Sequence, residues 1–250
     1  MTHFGAIIIG DEILSGKRQD QHFGQIVKTL GERGLELSWC QYLGDDPQLI
    51  TATLRRTLAT PDIVFSFGGI GATPDDHTRR CAAKAAGVEL YRHPDALAEI
   101  VAQFGEAAYP KRVLMADLPQ DSRIIPNPYN RVPGFSLNHH HFLPGFPEMA
   151  WPMLEWVLDA HYLYLQHRTQ ISEQAILVHG ARESLLLDLM NDCVARFPEL
   201  KLFSLPHLAE KNYQIELGVR GDVMRVPEAM QFLKQGVVAL GFQWEEQQSG

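Results

Sequence analysis

The sequence predicts an α/β protein: a mostly parallel sheet covered by helices, followed by a small α+β domain. Three observations predict it. Apolar runs without alternation, the mark of strands buried on both faces, occur at 4–9 and 63–67. Each is followed by a glycine-rich turn and then a segment of helical period. From about residue 166 the order changes to β-α-β-β-α-β, the split βαβ arrangement of a two-layer domain. The expected domains are 1–165 and 166–250, with the boundary in the 160–170 zone.

Phe4 to Ile9 reads as the first buried strand. Phe23, Ile26, Val27 and Leu30 recur at i, i+3, i+4 and i+7, one face of a helix ending near Gly34. Leu35 to Leu43 reads as a strand, and Pro47 to Leu58 as a helix with Ile50, Leu54 and Leu58 on one stripe. Ile63 to Phe67 is a third strand, broken by Gly68-Gly69-Ile70-Gly71, and a helix is expected from Pro74 to Ala86. Residues 87–146 are rich in proline and glycine and read as loops around one helix, about 96–104. His139-His140-His141 reads as a strand in which His139 and His141 share a face, not as a metal site. A helix over about 148–161 follows, with Trp151 and Trp156 on its packing stripe. In the tail, strands are expected at 175–179, 200–205, 214–220 and 242–245, and helices at 185–194 and 227–240.

Composition narrows the class. In 250 residues, 45% are hydrophobic and 21% charged, which excludes a largely disordered chain. The net charge of −8 argues against a nucleic-acid or anionic-membrane surface. The tail also lacks the basic stripe and aromatic-rich strand of an RNA-binding sheet. Cys40, Cys81 and Cys193 are odd in number and match no metal-ligand spacing, so buried thiols in a reducing compartment are expected. No early apolar run is long enough for a signal-peptide core or a membrane span. A cytoplasmic location is expected.

The chemistry concentrates in Gly68-Gly69-Ile70-Gly71-Ala72-Thr73-Pro74-Asp75-Asp76-His77-Thr78. Glycines after a buried strand let backbone N–H groups approach a ligand closely. With Thr73 as N-cap and Pro74 as the first helical residue, the helix start would add partial positive charge for a phosphate. Two carboxylates beside a phosphate repel it unless a divalent cation lies between, so Asp75 and Asp76 are candidate ligands for magnesium. A purely structural alternative stays open, since Thr73-x-x-Asp76 is also a capping box. Gly10-Asp11-Glu12-Ile13-Leu14-Ser15-Gly16 follows another buried strand and should open on the same sheet edge. There Asp11 and Glu12 are further acids and Ser15 a phosphate donor. Asp45-Asp46 before Pro47 is a third acidic pair. Lys17, Arg18 and Tyr129-Asn130-Arg131 are secondary pocket candidates, whereas Arg79 and Arg80 are expected on an exposed helix face.

The strings at 10–16 and 68–78, with Leu143-Pro144-Gly145-Phe146-Pro147-Glu148-Met149, resemble the molybdopterin-binding superfamily of MoaB and Mog. Within it they are most similar to the N-terminal part of the CinA (competence/damage-inducible) group. Met115 to Pro119, Asn127-Pro128 and Pro133-Gly134-Phe135 extend the resemblance over 4–155. It implies a three-layer α/β/α domain whose pocket binds a phosphorylated pterin or nucleotide through Gly10, Asp11, Ser15, Gly68, Gly69, Gly71, Thr73 and Thr78. It also implies that Asp76 and Asp45 take part in metal-assisted chemistry; the sequence assigns no base, and among the residues themselves Glu12 is the best candidate. CinA-type relatives cleave the pyrophosphate of ADP-ribose-like nucleotides with a divalent ion; the chain is too short for their C-terminal nicotinamide-mononucleotide deamidase domain, so that activity is not expected. Two departures stand out. Asp20-Gln21-His22 carries histidine where the family has asparagine, and Gly71-Ala72-Thr73 replaces Gly-Pro-Thr.

Three functions follow: a magnesium-dependent nucleotide pyrophosphatase, a non-catalytic carrier of molybdopterin or nucleotide, and an assembly protein that kept the fold without the chemistry. The expected partners are a small phosphorylated ligand and further copies of the chain, with neither nucleic acid nor membrane.

Overall fold

A computed structural model describes residues 3–167, 171–209 and 212–247. The chain divides into two compact units, Met1–Gln166 and His167–Gly250. Part of the expected boundary zone, 168–170, lies outside the described residues.

The first unit runs β1 (Phe4–Ile9), α1 (Asp11–Leu14), α2 (His22–Gly31), β2 (Leu37–Leu43), α3 (Pro47–Leu58), β3 (Ile63–Phe67), α4 (Thr78–Ala86), β4 (Leu90–Arg92), α5 (Pro94–Phe104), β5 (Asp117–Pro119), β6 (Arg123–Ile125), β7 (Gly134–Leu137), β8 (His140–Leu143) and α6 (Pro147–His161). Six strands form one sheet in the order β2-β1-β3-β8-β7-β6. β2, β1, β3 and β8 are parallel, and β7 and β6 reverse direction in turn.

Alternation along β1 divides the core. Ile7 and Ile9 join the layer that includes Ile50 and Leu54 of α3 and Cys81 and Ala82 of α4. Phe4, Ala6 and Ile8 join the opposite layer, with Ile26 and Leu30 of α2 and Met153, Leu154 and Val157 of α6. Both faces of the parallel sheet are thereby covered, which makes the unit a three-layer α/β/α domain. Gly5 is required by packing: a Cβ there would enter the Trp39 ring, whose Nε1 donates to Asp62 at 2.9 Å.

The second unit runs β9 (Ile171–His179), α7 (Glu183–Arg196), β10 (Lys201–Ala209), β11 (Asn212–Asp222), α8 (Val226–Ala239) and β12 (Gln243–Glu246). Its antiparallel sheet has the order β10-β11-β9-β12. Ile176, Val178, Ile215, Leu217 and Val219 pack under α7 and α8. This is the expected small α+β domain.

Several expectations are corrected. The helix expected from Pro74 begins at Thr78. Thr73 is therefore no helix N-cap; it closes a separate turn in which Asp76 N–H donates to Thr73 O at 3.1 Å. On α2, Phe23 and Val27 are 45% and 44% exposed, while His22, Ile26, Thr29 and Leu30 are buried. Both stripes share Ile26 and Leu30, so periodicity alone does not choose between them. His22 decides it by stacking on Phe67, with ring centroids 4.5 Å apart. Leu185 and Val194 of α7 are likewise exposed, and Leu186, Leu189 and Cys193 form its buried stripe.

The stretch read as loops contains four short strands, each too brief to show a period of two. His139 lies in the β7–β8 turn, beside Asn138 at φ 54°, and β8 starts at His140. His140 and His141 are both buried, on opposite faces: His140 Nε2 meets Thr57 Oγ1 of α3, and His141 Nε2 meets Tyr162 Oη, each at 2.8 Å. Trp151 packs against the core as expected, whereas Trp156 is 39% exposed.

Candidate functional site

The four parallel strands end on one edge of the sheet, and each end leads into a glycine: Gly10 after β1, Gly44 after β2, Gly68 after β3 and Gly145 two residues past β8. Ligands of open α/β sheets sit at this carboxyl edge. The glycines allow contacts that a side chain would block. A Cβ on Gly68, at φ 101°, would collide with the Ile9 carbonyl, whereas one on Gly145 would only touch the Cα of Gly68, at 3.4 Å.

Gly69 adopts φ 69°, and a Cβ there would strike Thr78 Oγ1. Thr78 is fully buried; its Oγ1 donates to Gly68 O and its N–H to Gly69 O, both at 3.0 Å. It holds the loop from beneath instead of facing a ligand. Above it, the amides of Gly69, Ile70, Gly71 and Ala72 donate to no protein acceptor among the described residues. Four successive backbone N–H groups at this strand end are thus left without a protein acceptor among the described residues.

The adjacent acids Asp75 and Asp76 lie in different surroundings. Asp76 Oδ2 accepts from both Thr73 N–H (2.8 Å) and Thr73 Oγ1, and Gly71 leaves room for this carboxylate. Its Oδ1 has no protein donor among the described residues, and Asp76 lines a cleft of about 410 Å³ bounded also by Thr73, Arg80, Tyr91 and Leu114. Asp75 instead adds its charge to Asp11, Glu12 and Asp45; burial and these neighbours hold the Asp45 carboxyl above the usual range. Asp75 itself is held below the usual carboxylate range by the nearby Thr73 side chain.

The first two loops are clasped together: Asp11 N–H donates to Asp45 Oδ2 at 2.9 Å, and Asp45 N–H to Asp11 Oδ1 at 3.1 Å. Glu12 packs beneath Gly10. Asp46 is an N-cap for α3, accepting from Gln48 and Leu49 N–H. Ser15 is exposed at the C-terminal end of α1 and joins neither acidic group.

Sequence reasoning misplaced Arg79. It is not on an exposed face: Nη1 donates to Leu114 O (2.6 Å) and Asp117 O (2.9 Å), and Nη2 to Gly71 O (2.6 Å). It ties the glycine loop to the 114–117 segment. Burial works against its charge, and Asp117 and Asp76 offset that. No spacing rule signals such a strut. Arg80, by contrast, is exposed on the cleft rim with no ion-pair partner among the described residues. Tyr129-Asn130-Arg131 does not line the site; Arg131 pairs with Glu99, and Asn127 holds the turn through Val132 O and Asn130 Oδ1.

His22 Nε2 lies 3.2 Å from Gly145 O, and Asp20 accepts from the N–H groups of His22 and Phe23 and from Tyr42 Oη. The imidazole is 5% exposed, Nδ1 has no partner, and burial keeps it neutral by lowering its pKa.

Residues 5–163 match a family model described as a probable molybdopterin binding domain, and the chain belongs to this family. The CinA-like protein of Syntrophotalea carbinolica is 36% identical over 182 residues, covering 70% of this chain and 44% of the relative. That of Desulforapulum autotrophicum is 32% identical over 205 residues, covering 77% and 48%. The chain thus spans about half the length of these curated relatives. Among solved structures, the protein CinA of Thermoplasma acidophilum, of unknown function, matches with a TM-score of 0.58 and 31% identity, covering 64% of this chain and 97% of that chain. These relatives place the chain with the CinA-like members. No helix among the described residues is long and apolar enough to cross a membrane.

Proposed function

We propose that the first unit binds a phosphorylated nucleotide or pterin on the 69–72 amides and cleaves the pyrophosphate of an ADP-ribose-like nucleotide with the help of a divalent cation. The observation that carries this reading is the run of four unpaired amides beside a crowd of carboxylates. Asp11, Glu12, Asp45 and Asp75 share one locality, and no Lys or Arg ion pair reaches any of them among the described residues.

The donor set fits magnesium in one particular way. No three acidic, histidine or cysteine side chains form a cage among the described residues. Magnesium is ordinarily held by one or two carboxylates plus substrate phosphates, not by an all-protein cage. Asp45 and Asp75 on one side, and Oδ1 of Asp76 on the other, are the candidate ligands, and the bound ion would polarise the phosphorus. The chain's own part is to orient the phosphates on the amides and to stabilise the charge that grows on their oxygens as water adds and the P–O–P bridge breaks. Glu12, whose carboxylate lies against Gly10, is the candidate to take the proton from that water. The acidic, thiol-bearing composition supports a cytoplasmic setting, and self-association belongs to the same proposal.

One observation favours the non-catalytic carrier instead: Asp76 Oδ2 is already engaged by Thr73. Asp76→Asn separates the readings, because an amide oxygen can still accept from Thr73. Turnover of ADP-ribose to AMP in magnesium is expected to vanish with the melting temperature unchanged to within about 2 °C, less than a 1 kcal/mol change would give. Activity retained with a melt lowered by several degrees would make Asp76 only a turn closer. Saturable pterin binding with no AMP release by the wild type would establish the carrier.

A further inference from the structure

A second cavity of about 620 Å³ lies at the other edge of the first unit's sheet, where β8 begins and α3 and α6 end. β8 is 4 residues long, so this edge is roughly 13 Å from the glycine loops at about 3.3 Å per residue. The size is that of a small-molecule site. Its walls carry rings, His161 and Tyr164, and its rim carries Arg123, His139 and Asn138. Arg123 has no ion-pair partner among the described residues, and the one carboxylate on the rim is Asp121.

A hydrogen-bond chain forms part of the cavity's lining: Tyr162 Oη to His141 Nε2, and His141 Nδ1 to Ser136 Oγ, both 2.8 Å. Burial drives His141 down to about 3, so the ring is neutral and carries one N–H. If that proton sat on Nε2, the Tyr162 hydroxyl would accept it and turn its own hydrogen to the cavity it lines. With Tyr162 donating to Nε2, Nδ1–H donates to Ser136 Oγ, and the one spare hydrogen is on Ser136, which is half-buried and lines the cavity. In that tautomer Ser136 presents its hydroxyl hydrogen to the cavity, beside a guanidinium, imidazoles and an amide.

We propose that this cavity is a second binding site, separate from the glycine loops, for a small anion that combines a phosphate with a planar ring, of nucleoside monophosphate size. The phosphate is received by Arg123 and Ser136, and the ring lies against His161 and Tyr164. The proposal does not depend on any activity at the other edge.

AMP titrated into the full chain, followed by NMR of the histidine ring protons, tests it. His139 and His161 are expected to shift saturably, and these signals distinguish the cavity from the glycine loops. Arg123→Ala is expected to weaken this response about tenfold or more, the loss of one charged hydrogen bond, with its melt unchanged because the side chain is exposed and unpaired. Inorganic phosphate is expected to bind at least tenfold more weakly than AMP. No shift at either histidine up to about 10 mM AMP, weaker than any useful affinity on this scale, would overturn the proposal. So would an unaltered response in Arg123→Ala, or equal affinity for phosphate and AMP.

Discussion

Gly69→Ala and Thr78→Ala, made singly and together, test how the glycine loop is held. Gly69 is at φ 69°, where an alanine costs about 1–2 kcal/mol. The new Cβ would also strike Thr78 Oγ1, so the hydroxyl must leave the Gly68 carbonyl and a buried hydrogen bond is lost, worth about 1–1.5 kcal/mol. The single substitution should therefore destabilise by about 3 kcal/mol. Thr78→Ala loses the same bond and leaves a small void, about 2 kcal/mol. In the Thr78→Ala background the hydroxyl is gone and only the Cβ of residue 78 stays close, at 3.3 Å, so Gly69→Ala should cost little beyond the backbone component, about 1–2 kcal/mol. The cycle is expected to show a coupling of about 1–2 kcal/mol. Urea unfolding of the four proteins measures it. Effects that add to within about 0.5 kcal/mol would refute the argument that Thr78 and Gly69 occupy one another's space.

Arg79→Lys should destabilise by about 2–3 kcal/mol and weaken phosphorylated ligands, because one ammonium cannot reach Gly71 O, Leu114 O and Asp117 O together. A melt unchanged from wild type would refute it. Stability should also fall on acidification. His140 and His141 are lowered by burial to about 4 and about 3, so between their unfolded value near 6.5 and those limits the unfolded chain binds protons that the native chain refuses. The stability they confer is complete above about pH 6.5 and is lost by up to about 1.4 kcal/mol per pH unit for each histidine as pH falls. Urea midpoints from pH 7 to 5 measure the slope; His140→Gln should reduce it, and a flat wild-type profile would count against the assignment.

Much of the fold was legible. The limits of β1, α3 and β3 follow from unbroken apolar runs and from Pro47 at a helix start, and the β-α-β-β-α-β order of the tail from its alternating periods. The failures have physical causes. Short edge strands such as β5 and β6 have 3 residues each, too few to show alternation. The α4 start was misplaced because Thr73-x-x-Asp76 closes a free turn with the same donors that open a helix. The site's glycines and acids were visible as residue types. Their division was not: Asp75 sits with Asp45, Asp76 turns toward the cleft, and Thr78 and Arg79 serve the loop's backbone, all through contacts distant in sequence.

The seam between Gly68 and Gly145 gives residue 22 an indirect influence. The His22 imidazole grips the Gly145 carbonyl, and that bare stretch of chain rests against Gly68 with no side chain between to absorb a displacement. A change of ring size or tilt at position 22 would therefore reach the Gly68–Gly145 contact, next to the unpaired amides at 69–72, through the Gly145 carbonyl.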